Sequence, residues 1–131
     1  MSSAKPVLYS FWKSSASWRV RIVLHHKEID YEYVPINLLK SGGGEQKSAE
    51  YMKKNPAGRV PLLLIDGYEL TESVAICEYL EETKNPSKPM MPKDPYQRAL
   101  VRRICETVNA GIQPLQNISL TQKIAKEFGA D

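Results

Sequence analysis

The sequence predicts an α/β unit followed by a helical one, and three observations carry that prediction. Short apolar runs suited to strands alternate with helical periodicity as far as residue 84. A cluster of prolines, Pro86, Pro89, Pro92 and Pro95, then interrupts both patterns. Beyond it only helical spacing recurs. The domains are therefore assigned as 1–84 (α/β), 85–95 (linker) and 96–131 (helical).

Taken in order, Pro6 to Ser10 is a first strand, apolar in Val7, Leu8 and Tyr9. Phe11 to Ser17 is a hydroxyl-rich loop. From about Ser17 the spacing turns helical, with Val20, Val23, Leu24 and Lys27 on one face and Trp18 and Ile22 flanking it. Tyr31 to Pro35 is a second strand, so the first three elements form a βαβ unit with parallel strands. Ser41-Gly42-Gly43-Gly44 is a loop that lacks the spacing of a nucleotide-binding fingerprint. Ser48 to Lys54 forms a short helix, stopped by Asn55-Pro56.

The stretch from Asn55 to Ser73 is the densest in signals. Leu62 to Ile65 is a continuous apolar run, as expected of a strand buried on both faces. Asp66-Gly67 predicts a type I′ hairpin turn, and Tyr68 to Leu70 returns antiparallel. Thr71-Glu72-Ser73 opens a helix running to about Thr83, with Val74, Cys77 and Leu80 on its apolar face. Pro61, just ahead of the third strand, is a candidate for a cis peptide bond that leaves the Val60 backbone free to pair with an extended ligand. Glu72-Ser73 lies at a helix start, where free N–H groups favour a carboxylate or phosphate. Each feature alone also describes an ordinary edge proline or an ordinary cap.

After the linker, Asp94-Pro95-Tyr96-Gln97 has the pattern of a capped helix start with proline at its first position. Val101, Ile104, Val108, Ile112 and Leu115 make a helical stripe, disturbed by Gly111 and Pro114. Ser119-Leu120-Thr121-Gln122 resembles another capping box, followed by Leu120, Ile124 and Phe128. These stripes have too few partners within the chain to bury them, so the helical domain is expected to be incomplete.

Composition narrows the function classes. A net charge of +3 is too small and too evenly spread to indicate nucleic acid. An apolar share of 42% with 25% charged residues is that of a soluble globular protein, and no run reaches membrane-span length or resembles a signal peptide. Cys77 and Cys105 lack metal-ligand or C-x-x-C spacing and are expected as buried free thiols in a reducing cytosol. No metal site is expected, and His25 and His26 are assigned to surface or packing positions.

Val60-Pro61, a hairpin, then Glu72-Ser73 at a helix start resembles the glutathione site of the glutathione-transferase superfamily. The order of elements up to residue 84, with a proline leading the third strand, resembles a thioredoxin fold. The resemblance implies a thioredoxin-like N-terminal domain followed by the start of an all-α C-terminal domain. Ser14-Ser15-Ala16-Ser17-Trp18-Arg19-Val20-Arg21 is similar to the Ser-Ser-Cys-Ser-Trp-Arg-Val-Arg signature of the zeta class, the maleylacetoacetate isomerases. Val34 to Leu38, Glu78 to Thr83 and Gly111 to Asn117 resemble the same class.

That resemblance implies glutathione as cofactor and isomerisation of maleylacetoacetate to fumarylacetoacetate, in tyrosine and phenylalanine breakdown. It also implies transferase activity on small α-halo acids, a homodimer and a cytoplasmic location, with neither nucleic-acid nor membrane partners. A cis alkene conjugated to a carbonyl isomerises when a thiolate adds, the bond rotates and the thiolate leaves; the protein must stabilise that thiolate. A free thiol titrates near pH 8.5, about 1.4 kcal/mol per unit of depression. Ser14 and Ser15 are the implied catalytic pair, though both also suit plain helix capping. The implied ligand-binding set is Ser14, Ser15, Ala16, Ser17, Trp18 and Arg19 from the first loop and helix, then Gln46, Val60, Glu72 and Ser73. Gln113, Asn117, Ile118 and Ser119 would close the site from the helical part.

Lys13 and Arg19 are candidates for attracting a dicarboxylate substrate. Ala16 departs from the family, which has a cysteine there; this makes Ser14 the expected thiolate stabiliser. The rival is a shortened, catalytically weak glutathione-binding or interaction module of the same fold. A thioredoxin-type dithiol oxidoreductase is remote, because the C-x-x-C pair is missing.

Overall fold

The structure, a computed structural model, describes residues 4–129. The outer ends of the two sequence-assigned domains, residues 1–3 and 130–131, lie outside it. Two units divide between Pro89 and Met90. The first contains strands β1 (Val7–Ser10), β2 (Glu32–Pro35), β3 (Leu62–Ile65) and β4 (Tyr68–Thr71), with helices α1 (Ser15–His26), α2 (Ala49–Lys54) and α3 (Ser73–Thr83). The sheet order is β2-β1-β3-β4. β1 and β2 are parallel, joined through α1 as the βαβ pattern requires, whereas β3 runs antiparallel to both β1 and β4. This mixed sheet flanked by helices is thioredoxin-like.

β3 is the spine of the sheet. Leu62 and Leu63 are fully buried, and their side chains alternate between the two faces. On one face Leu62 and Leu64 join Tyr9, Ile36, Leu38, Tyr51 and Val60. Leu8, Leu63 and Ile65 alternate to the other, where α1 supplies Val20, Val23 and Leu24 and α3 supplies Ile76 and Leu80. Each such burial contributes about 1.5–3 kcal/mol. The Asp66-Gly67 turn has φ of 54° and 84°, the positive pair that a type I′ turn demands.

Several expectations are corrected. α1 starts at Ser15, two residues before the apolar spacing becomes visible, because the Ser14 hydroxyl caps it by accepting the Ser17 N–H at 3.1 Å. The buried face of α3 is Ser73, Ile76 and Leu80, in place of Val74, Cys77 and Leu80. The helix buries a serine in its first turn, which an apolar count passes over. Cys77 is half-buried and Cys105 exposed; both are free thiols, but neither is buried. α4, which carries Cys105, has no buried residue. Phe11, placed in a polar loop, is only 3% exposed.

The second unit holds α4 (Pro95–Glu106), a π-helical turn (Thr107–Ile112), a 3₁₀ turn (Gln113–Gln116) and α5 (Ile118–Phe128). Asp94 caps α4 by accepting the Gln97 N–H at 2.9 Å, as the sequence predicts. The disturbance expected at Gly111 and Pro114 takes the form of the π and 3₁₀ turns. The capping box at Ser119 does not form: α5 begins at Ile118, after an extended Asn117 whose side chain makes no cap bond, so Ser119 lies inside the first turn. Ile104, Val108, Ile112, Leu115 and Phe128 are exposed.

Lys27 joins α1 to α3. Its side chain is fully buried, Nζ lies 2.6 Å from a Glu81 carboxylate oxygen, and its carbonyl accepts the Asn85 side-chain N–H at 2.9 Å. A lysine buried on an apolar face is tolerable only with such a partner. Glu81→Gln should therefore destabilise the first unit by about 3–5 kcal/mol in urea unfolding, because it leaves a buried ammonium unpaired. Lys27→Met combined with Glu81→Leu should recover most of that loss.

Candidate functional site

Strand register gathers the candidate residues of the first unit at one end of the sheet. β1 pairs Tyr9 with Leu62 and β3 pairs Leu62 with Thr71, so the segment after β1, the segment before β3 and the segment after β4 meet there. The parallel pairing of Ser10 with Pro35 brings the segment after β2 to the same end. Ser14, Ser15, Ala16 and Ser17, the loop carrying Gln46, Val60, and Glu72-Ser73 all belong to these segments. The sequence-assigned Gln113, Asn117, Ile118 and Ser119 lie in the second unit, on the 3₁₀ turn and the start of α5.

At the start of α1, Ser14 Oγ accepts the Ser17 N–H but donates to no described residue, so its proton is available. Ser15 is exposed in the first turn, and Ala16 is half-buried beside it. Ser17 is fully buried, and its Oγ has no partner among the described residues. Trp18 is 53% exposed, with the Arg21 guanidinium stacked 4.2 Å from its ring centre. A shallow hollow of about 390 Å³ on this side of α1 is lined by Trp18, Arg21, Ile22, His25 and His26, away from the hydroxyls. Lys13 is exposed, with its Nζ 5.2 Å from the Trp12 ring centre.

Val60 precedes a cis peptide bond to Pro61. Neither its N–H nor its C=O is hydrogen-bonded to another described residue. The backbone just before it is held firmly: the Arg59 carbonyl accepts the Tyr51 hydroxyl at 2.6 Å and the Asn55 side-chain N–H at 2.8 Å. Burial pushes the Tyr51 phenol up to about 12. Gln46 sits on the 3₁₀ turn Glu45–Lys47, which packs against Gly58; a Cβ there would come within 2.8 Å of Lys47 Nζ and 3.1 Å of the Gln46 carbonyl. Glu45 anchors this loop by accepting the Asn37 N–H at 2.8 Å and pairing with Lys40 at 2.9 Å, and these two contacts hold its carboxyl below the usual range. Gln46 Nε2 donates to the Gly43 carbonyl, while its buried Oε1 has no partner among the described residues.

Glu72 has φ 64° and ψ 109°, a region that non-glycine residues rarely occupy, and its side chain does not cap α3. Ser73 is 4% exposed, and its Oγ accepts both the Nε and the Nη2 of Arg19, at 3.0 and 2.9 Å. Arg19 is thus engaged at the start of α3, although the sequence suggested it as a lure for substrate. Tyr51 and Asn55 were missed as contributors. Asn55 was visible only as a helix stop, and the Arg19–Ser73 contact spans a separation of 54 residues that no local pattern encodes.

The arrangement offers donors to an anion at two helix starts and an unpaired backbone edge between them. The family model "Glutathione S-transferase, N-terminal domain" matches residues 5–82. The chain belongs to the glutathione S-transferase family. It is 51% identical to a maleylacetoacetate isomerase of Dictyostelium discoideum, over all of this chain and 59% of that one. Among solved structures, a bacterial zeta-class maleyl pyruvate isomerase superposes with a TM-score of 0.88 at 36% identity, covering 95% of this chain and 57% of the other. A maleylacetoacetate isomerase of Methylobacterium extorquens AM1, solved with malonate and glutathione bound, gives 0.84 at 36% identity with the same coverage. The transferase-family chain described here spans a little over half the length of these relatives.

The Tyr51 shift has a definite sign. Its folded pKa lies above the ordinary value of 10, so the phenol's contribution is complete below pH 10 and is lost as pH rises towards 12. Alkaline unfolding should show a fall of at most roughly 2–3 kcal/mol across that window, absent in Tyr51→Phe.

Proposed function

We propose that the chain is a glutathione-dependent cis–trans isomerase that converts maleylacetoacetate to fumarylacetoacetate in tyrosine and phenylalanine breakdown. The observation that carries this reading is the convergence, at one end of the sheet, of the Ser14 hydroxyl, the unpaired Val60 backbone and the buried Ser73 hydroxyl. The names of the relatives support the same chemistry. The Gln46 side chain, whose Oε1 has no partner among the described residues, also fits a polar peptide-like ligand.

In this reading Val60 pairs through its backbone with the cysteinyl part of glutathione, and Gln46 contacts the same stretch. Glu72, Ser73 and the first N–H groups of α3 hold the γ-glutamyl end. When bound, glutathione supplies the sulfur nucleophile whose reversible addition lets the alkene rotate. Ser14 donates a hydrogen bond from its free hydroxyl to that sulfur, and the start of α1 adds the favourable end of a helix dipole. Ser15, exposed in the same turn, is the secondary donor. Ala16 contributes no hydrogen bond, which leaves Ser14 as the principal stabiliser. Trp18 and Lys13 flank this turn. Transferase activity on small α-halo acids, a homodimer and a cytoplasmic location complete the proposal, together with the division into domains 1–84 and 96–131.

The test is an isomerase assay with glutathione, alongside ultraviolet titration of the bound thiol. Ser14→Ala should raise the thiol pKa by about one unit, a loss of about 1.4 kcal/mol, and lower turnover at neutral pH by roughly tenfold. A larger rise in Ser15→Ala would move the catalytic role to that residue. Binding without turnover by the unmodified chain would make it a glutathione-binding module of the same fold.

A further inference from the structure

The Arg19–Ser73 contact constrains more than position. A guanidinium has donors only, so both of its bonds to Ser73 Oγ, at 3.0 and 2.9 Å, take up lone pairs of the hydroxyl oxygen. The hydroxyl proton must then point away from Arg19. Ser73 is 4% exposed and donates to no described residue, so a buried O–H remains without an acceptor. It stands in the first turn of α3, whose N–H groups receive no side-chain cap from Glu72. The Ser73 hydroxyl and these N–H groups are donors, and the exposed Glu72 carboxylate beside them is an acceptor.

We propose that Arg19 is a positioning residue that locks the Ser73 hydroxyl as a hydrogen-bond donor, so that this subsite selects a carboxylate over an amide or an ammonium. The inference rests on the glutathione reading, and the group selected is the α-carboxylate of the γ-glutamyl residue. Without the lock, the serine hydroxyl can turn inward or accept from a ligand N–H, and the subsite loses its sense of polarity. Arg19 acts through Ser73 and need not touch the ligand.

Calorimetric titration with glutathione and with an analogue whose γ-glutamyl α-carboxylate is a carboxamide tests this. Thermal melts establish that each variant is folded. The unmodified chain should prefer glutathione by roughly tenfold or more. Arg19→Gln, whose side-chain carbonyl can accept the serine proton, should bring the two affinities within about twofold. Arg19→Met, which leaves Oγ without its donors, is the second variant if Arg19→Gln does not fold. Arg19→Lys, again donor-only, should restore the preference. In a Ser73→Ala background, loss of Arg19 should cost no further discrimination. Preference unchanged in Arg19→Gln and Arg19→Met overturns the lock. So does an equal loss with and without the Ser73 hydroxyl, which would mean that Arg19 acts by its charge alone. If the unmodified chain binds neither compound, the glutathione reading itself fails, and the lock with it.

Discussion

The register of β3 against its two neighbours is the constraint on which the site depends. Leu62 faces Tyr9 on one side and Thr71 on the other. A slip of one residue would exchange the faces of Leu62 and Leu63, both fully buried, and drive each into the wrong layer. Because β3 runs antiparallel to β1 and β4, the same register decides which loops become neighbours. The candidate site is thus placed by leucine packing, with Leu62 two residues from Val60 and its partner Thr71 two residues from Ser73.

Around that spine, polar side chains fix backbone more than they fix one another. Tyr51 and Asn55 converge on the Arg59 carbonyl, and Glu45 holds the Asn37 N–H. Each removes freedom from a segment that presents main-chain atoms. A backbone recognition edge needs such support, since a peptide group cannot be held by a rotamer of its own. Glu72, in a conformation that few side chains tolerate, belongs to the same economy: its neighbours on both sides, β4 and α3, are regular elements that leave a single residue to make the turn.

The order of elements, the hairpin and the cap at Asp94 were legible, because each rests on local chemistry: apolar alternation, positive φ at Asp66-Gly67, and a side-chain oxygen beside free N–H groups. The proline before β3 and the Glu72-Ser73 pair stood out as candidates for the same reason, and the sheet register brings them to one end. What escaped was set by tertiary contact. Lys27 looks like a misplaced charge until Glu81 is beside it. Ser73 looks like a cap until Arg19 reaches it from α1. The apolar face of α3 was misjudged because a buried serine counts as polar in any periodicity. Cys105 was assigned a buried place on the strength of its helix alone, and its surroundings in this chain provide no cover.

Two contacts described separately share one geometry. Arg19 meets Ser73, and Lys27 meets Glu81, with the same offset in sequence, so α1 and α3 run side by side, parallel and in step. Their peptide dipoles therefore add instead of cancelling, and each helix places about half a positive charge at the same end of the sheet. Two like poles held together repel, and nothing in antiparallel neighbours would relieve them here as it does in most helix pairs. Negative charge arriving between them turns that repulsion into attraction. The anion subsite proposed for this end would then draw on the helix arrangement itself, in a chain of net charge only +3.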